Sequence, residues 1–109
     1  MDKGKLGKKK RIEVSYSVNG CECAHWLLSK NKKSLIDEEQ IYLEQANTSL
    51  IQPDTLFKGT NLPVIVSLEG QFYSKEGYPK NYNPAKGSPD PARVFRYTKL
   101  KIMSLGSSL

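Results

Sequence analysis

Arg93-Val94-Phe95-Arg96-Tyr97-Thr98-Lys99-Leu100-Lys101-Ile102 reads as one β-strand with two unlike faces. Alternate side chains of a strand point to opposite sides, so Arg93, Phe95, Tyr97, Lys99 and Lys101 share one face. Val94, Arg96, Thr98, Leu100 and Ile102 share the other. Arg96 apart, the second set suits a packed core. The first alternates cations and aromatic rings on a surface expected to face solvent. Such a surface fits a nucleic-acid strand, whose phosphates attract cations and whose unpaired bases stack on rings. The plainer alternative is a half-buried strand in which Phe95 and Tyr97 pack under a loop and the cations only solubilise an edge.

Towards the N-terminus, further segments show strand or turn signals. Ile12, Val14, Tyr16 and Val18 alternate with Arg11, Glu13, Ser15 and Ser17, the pattern of a half-buried strand. Asn19-Gly20 is a strong hairpin signal, and Cys21 to Leu28 is expected to return antiparallel beside the first strand. Residues 29 to 34 read as a polar basic loop. Ser34, Asp37, Glu38 and Glu39 resemble a capped helix start, but Ile41, Tyr42 and Leu43 equally suit a strand, and a short strand around Gln40 to Gln45 is the preferred reading. A helical turn fits between Pro53-Asp54 and Lys58-Gly59.

Leu62 to Phe72 is a strand with Val64, Val66 and Leu68 on one face, and Pro63 puts its start at an edge. Tyr73 to Pro91, rich in Gly, Pro, Asn, Lys and Tyr, is a long connecting loop. Several short strands, one long hairpin loop and at most one short helix make the chain mainly β, a small antiparallel OB-like barrel. The divisions expected are a basic disordered arm over 1–11, the barrel over 12–105 and a tail over 106–109.

A chain of 109 residues with 38% hydrophobic and 26% charged residues matches one soluble domain able to build its own core. No stretch approaches the ~18 apolar residues of a membrane span, and no apolar signal core follows the lysine-rich start. A cytoplasmic location is expected, or an intracellular one in the host for a viral chain. The net charge of +6 is unevenly spread. Residues 1–11 carry six cations and one anion, residues 12–70 four and eight, and residues 71–103 seven and two. The excess therefore sits in the arm and the last third, which favours a polyanionic partner.

The segment Lys58-Gly59, then Val64-Ile65-Val66-Ser67-Leu68-Glu69-Gly70-Gln71-Phe72, a loop and a basic aromatic strand ending at Leu105 resembles the second half of OB-fold single-stranded DNA-binding proteins. In that family a Lys-Gly turn feeds a hydrophobic strand ending in a Glu-Gly sequence, and a flexible hairpin loop with its return strand clamps the DNA. Val18-Asn19-Gly20 and its return strand are similar to the family's early hairpin, so the resemblance covers residues 12 to 105. Two departures limit what it implies. Phe72 and Tyr73 stand where bacterial members place a tryptophan, and the acidic C-terminal tip is replaced by Ser107-Ser108-Leu109. A minimal phage, plasmid or other mobile-element relative of the helix-destabilising type is implied, without the partner-hub role.

The expected ligand is single-stranded DNA in replication or recombination. RNA is a variant of the same reading, since nothing here reads a 2′-hydroxyl. The candidate contacts are Phe72, Tyr73, Lys75, Tyr78, Lys80, Tyr82, Lys86, Arg93, Phe95, Tyr97, Lys99 and Lys101, together with the arm residues Lys8, Lys9, Lys10 and Arg11. The competing readings are that Tyr78 and Tyr82 merely pin the loop and that the arm is a solubilising tail. A small β-rich protein-interaction module is the alternative function, and a homodimer or higher homo-oligomer is compatible with either.

Neither catalysis nor a cofactor is expected. The single histidine has no nucleophile motif and there is no glycine-rich phosphate loop. Cys21, Cys23 and His25 fall on one strand face with no further Cys or His to complete a tetrahedral metal site, so no metal and two free thiols are expected. Trp26 is either the main core aromatic or a stacking platform.

Overall fold

The computed structural model describes residues 3–17, 24–29, 38–58, 63–80 and 90–106. Among these residues five strands and one 3-10 turn follow in chain order: β1 (Lys10–Tyr16), β2 (Trp26–Ser29), β3 (Glu38–Gln45), the turn (Pro53–Leu56), β4 (Val64–Phe72) and β5 (Val94–Leu105). They close into a barrel in the order β1-β2-β3-β5-β4. Every pairing is antiparallel except β3 with β5, which run parallel from Tyr42 opposite Val94 to Gln45 opposite Tyr97. The chain is mainly β and OB-like, as its alternation implies. Among the described residues the short helix allowed for is the 3-10 turn. The acidic stretch at Glu38 and Glu39 belongs to β3 and not to a helix start. No helix among the described residues is long and apolar enough to cross a membrane.

Alternation determines the interior. Val64, Val66, Leu68 and Phe72 of β4 point inward with Ile12 and Val14 of β1, Trp26 of β2 and Ile41 of β3. Trp26, only 2% exposed, is thus the core aromatic and not a platform. Tyr16 seals one end of the barrel, its ring stacked between His25 (5.4 Å) and Phe57 (4.6 Å) and edge-on to Trp26. At the opposite end the inward-facing ring of Phe72 lies beneath the guanidinium of Arg93, 4.1 Å away, and Arg93 is held by two hydrogen bonds to the Glu39 carboxylate. Lys10 approaches the same ring at 5.6 Å. Cations thus cap the open end of the core through their attraction to a ring face.

β5 corrects the strongest sequence expectation. Phe95 and Tyr97 have no exposed surface, and the Tyr97 hydroxyl donates to the Ile51 carbonyl at 2.5 Å. Both rings lie inside the barrel, Phe95 edge-on to Phe72 at 4.9 Å. The expected exposed aromatic face is therefore the core face at this end of the strand. The ladder with β4 slips between Glu69 and Gly70: Lys99 pairs with Glu69 and Tyr97 with Gly70, leaving Thr98 as an extra residue. One extra residue in a strand reverses the parity of all that follows. Leu100, opposite buried Leu68, consequently faces inward like Tyr97, although an odd number of positions separates them. Lys99 and Lys101 keep the outward, exposed placement expected of them.

Gly70 makes this bulge feasible. A Cβ on Gly70 would lie 2.1 Å from the Arg96 carbonyl oxygen and 2.7 Å from the Tyr97 Cα, both backbone atoms that cannot swing aside. Gly70→Ala is therefore expected to lower stability by about 1–3 kcal/mol or more. In urea unfolding it should appear as a lower midpoint with an unchanged slope; an unaltered midpoint would mean that the close approach is not obligatory.

The N-terminal arm is also corrected, because residues 3 to 9 are not left loose. Leu6 pairs with Tyr73, Gly7 N–H donates to Phe72 O at 2.8 Å, and Ser74 and Lys75 donate backbone N–H groups to Lys5 O and Lys3 O. The arm continues β1 backwards and extends the β1–β4 ladder past the barrel end. Gly4 takes the left-handed φ of +79° where Ser74 packs against it; a Cβ there would meet the Ser74 hydroxyl oxygen at 2.0 Å. The start of the long loop is ordered by the same pairing, and a bridge between Gly77 and Ala92 ties its two stems together. Asn19-Gly20, Cys21 and Cys23, and the central loop residues Tyr82 and Lys86 lie outside the described residues.

Candidate functional site

On β3 and β5, parity directs Tyr42, Glu44, Val94 and Arg96 to the outside of the barrel. This outer face is not bare. Ala24, Tyr42 and Val94 form a second, smaller core, covered by Tyr73, Tyr78 and Ala92 from the loop stems. Tyr42 hydrogen-bonds through its hydroxyl to the Asp90 carbonyl at 3.2 Å, and its ring lies 5.8 Å from that of Tyr78. Tyr78 therefore helps to pin the loop stem to the barrel.

Glu44 is the joint that locks arm, loop and barrel together. It is 4% exposed and its carboxylate accepts from Lys3 Nζ at 2.8 Å, from the backbone N–H of Lys80 at 2.7 Å and from the Tyr73 hydroxyl. Lys3 also donates to the Tyr78 carbonyl and sits 4.6 Å above the Tyr73 ring. Burial alone would raise the Glu44 pKa. Hydrogen bonds from Lys3, Tyr73 and Lys80, with the Lys3 charge, more than offset it and hold the carboxyl below its ordinary value. Burial together with the hydrogen bond and charge of Glu44 pushes the Tyr73 phenol up to about 12, against a smaller opposing influence of Arg96. At neutral pH the cluster is thus a carboxylate, an ammonium and a neutral phenol.

Around this joint stands a cationic rim. Lys5, Lys8, Lys9, Lys10 and Arg11 are exposed along the arm and the start of β1, and Lys75 and Lys80 are exposed on the loop stem that pairs with the arm. Arg11 approaches Glu69 at 3.6 Å but remains 71% exposed, so this contact does little to neutralise it. Of the expected contact residues, the fold brings Tyr73, Lys75, Tyr78 and Lys80 together with the arm cations. Phe72, Phe95 and Tyr97 are withdrawn into the core, and Arg93 is bound to Glu39.

Sequence reasoning passed over Lys3, Glu44 and Arg96. A lone acid in the apolar run Ile41-Tyr42-Leu43 was a signal for Glu44, and Arg96 stood out as the one cation on a face assigned to the core. Lys3 had no signal at all, because its partner is 41 residues away. Comparison of the chain with protein-family models, curated proteins and solved structures finds no match.

Proposed function

We propose that the protein is a non-enzymatic single-stranded nucleic-acid-binding protein, with DNA as its first ligand, that grips the strand backbone along the cationic rim. The observation carrying this reading is the arm itself: its backbone is paired with residues 72–75, so that two lysine-bearing segments far apart in sequence lie side by side. Phosphates spaced along a strand suit such a surface. Stacking, where it occurs, falls to the half-buried Tyr73 and Tyr78 and to the loop between Lys80 and Asp90, since the strand aromatics are in the core. The reading therefore shifts from a stacking surface with basic support to a basic surface with limited stacking. Service in replication or recombination, for a phage or other mobile element, accompanies this proposal.

The test is a titration with oligo-dT and with duplex of equal length at two salt concentrations. Tighter binding of oligo-dT, weakening steeply with salt, is expected. Replacing Lys8, Lys9, Lys10 and Arg11 together by alanine should flatten the dependence of log K on log salt by about 0.7 for each phosphate contact removed. Binding that ignores salt would remove the proposal. It would favour instead a protein-interaction module, for which Ile51, Ile102, Met103 and Leu105, each more than a third exposed, are the specific observation.

A further inference from the structure

Beside the Glu44 joint the surface sinks into a depression of about 280 Å³, walled by the end of β3, the connection that follows it, the loop stem and β5. Arg96, Lys80 and Tyr73 line it together with Gln45, Asn47 and Gln52. The electrostatics follow from how Glu44 is used. Glu44 and Arg96 are direct register partners on adjacent strands, yet no ion pair joins them, because the carboxylate is taken by Lys3, Tyr73 and the Lys80 N–H. Arg96 is left with a single long hydrogen bond, from Nη2 to the Ala46 carbonyl at 3.4 Å. A guanidinium carries five N–H donors, so among the described residues most of those of Arg96 have no protein acceptor. Lys80 contributes its backbone to Glu44 and leaves its ammonium exposed on the pocket rim.

The lining also offers amides with defined remaining capacity. Asn47 Oδ1 accepts from the N–H and the hydroxyl of Ser49, which leaves its NH₂ as donor. Gln52 spends an N–H on Gln45 Oε1, which leaves its carbonyl as acceptor. A pocket lined by a fork-shaped cationic donor together with amide donors and acceptors is complementary to a phosphate joined to a sugar or base. The volume lies just under the range of ordinary small-ligand pockets. It admits one such unit and not a run of them.

We propose that this pocket is a subsite for a single nucleotide unit, with Arg96 and Lys80 holding its phosphate and Asn47 and Gln52 meeting the attached nucleoside. The inference rests on the strand-binding function above and locates one defined contact at the edge of its cationic rim, where Lys80 stands. A heteronuclear NMR titration of the full chain with dTMP, thymidine and inorganic phosphate tests it. dTMP should shift the Arg96 side-chain N–H and the side-chain amides of Asn47 and Gln52. Thymidine, and the Arg96→Gln variant titrated with dTMP, should each bind at least about tenfold more weakly than dTMP binds the unchanged chain. Inorganic phosphate binding as tightly as dTMP would overturn a nucleotide site, since only the anion would then be read. If oligo-dT binds the unchanged chain and Arg96→Gln equally while dTMP leaves the pocket unshifted, the subsite is overturned and strand binding stands. If dTMP shifts the pocket but oligo-dT shows no preference over duplex, the subsite stands and the strand-binding reading is overturned.

Discussion

Tyr97→Ala is expected to cost about 3–5 kcal/mol of folding stability, the range for truncating a fully buried aromatic side chain. Tyr97 has no exposed surface, packs among the inward residues of all five strands and spends its hydroxyl on the Ile51 carbonyl. Removing the ring leaves a cavity at the place where β5 is bulged and β3 ends, so partial collapse of neighbours offers little relief. Tyr97→Phe separates the two contributions: it keeps the ring, leaves the Ile51 carbonyl without its donor and should cost only about 1 kcal/mol. Because the bulge at Thr98 puts Leu100 on the same inner side, Leu100→Ala is expected to destabilise as well, at about 2 kcal/mol given its partial exposure. Denaturant unfolding of the three variants checks this. A well-folded Tyr97→Ala with selectively weakened oligonucleotide binding would mean that the aromatic face of β5 points to solvent after all.

Glu44→Gln is expected to release the arm and the loop stem together. The substitution preserves shape but leaves the Lys3 ammonium, 14% exposed, without its carboxylate. Stranding a buried charge costs about 3–5 kcal/mol; because the arm is held by a few backbone bonds to residues 72–75 and by Glu44, it can instead peel away into water. The expected result is therefore faster hydrogen exchange at the backbone N–H groups of Gly7, Ser74 and Lys75, which the arm pairing protects, with the barrel strands largely retained. The pH dependence has a determined sign. The folded Glu44 pKa is depressed, so its stabilisation is fully present above the unfolded carboxyl value of about 4.3 and is lost as pH falls through the lower folded value. The unchanged chain should lose protection at the arm in that acid window. Glu44→Gln should show no such step, and a step of equal size in the variant would assign it to another group.

The arrangement of the basic surface explains why a net charge of +6 concentrates where it does. Lysines in an unattached arm would contribute charge without position. Anchoring through Lys3 and Glu44 holds Lys5 beside the loop stem that carries Lys75, with Lys8 and Lys9 following along the end of β4. Lys3 itself is not part of the exposed cationic surface: it is mostly buried and its charge is matched by Glu44.

Strand alternation, visible in the residues themselves, determined β1, β4, the barrel class and the inward set Ile12, Val14, Val64, Val66 and Leu68, because a half-buried strand imposes a period of two on its own residues. The 3-10 turn after Pro53 and the length of the connection beyond Phe72 were legible for the same local reason. Only the tertiary structure decided which face of β5 is inside. Its aromatic and aliphatic faces are both apolar enough to be buried, and the choice depends on Gly70 of another strand, which permits the extra residue at Thr98. The arm likewise looked loose because its order comes from backbone bonds to residues 72–75 and from a carboxylate on β3, partners that local sequence cannot announce. Alternation is a property of a segment; register, bulges and buried ion pairs are properties of two segments brought together by the fold.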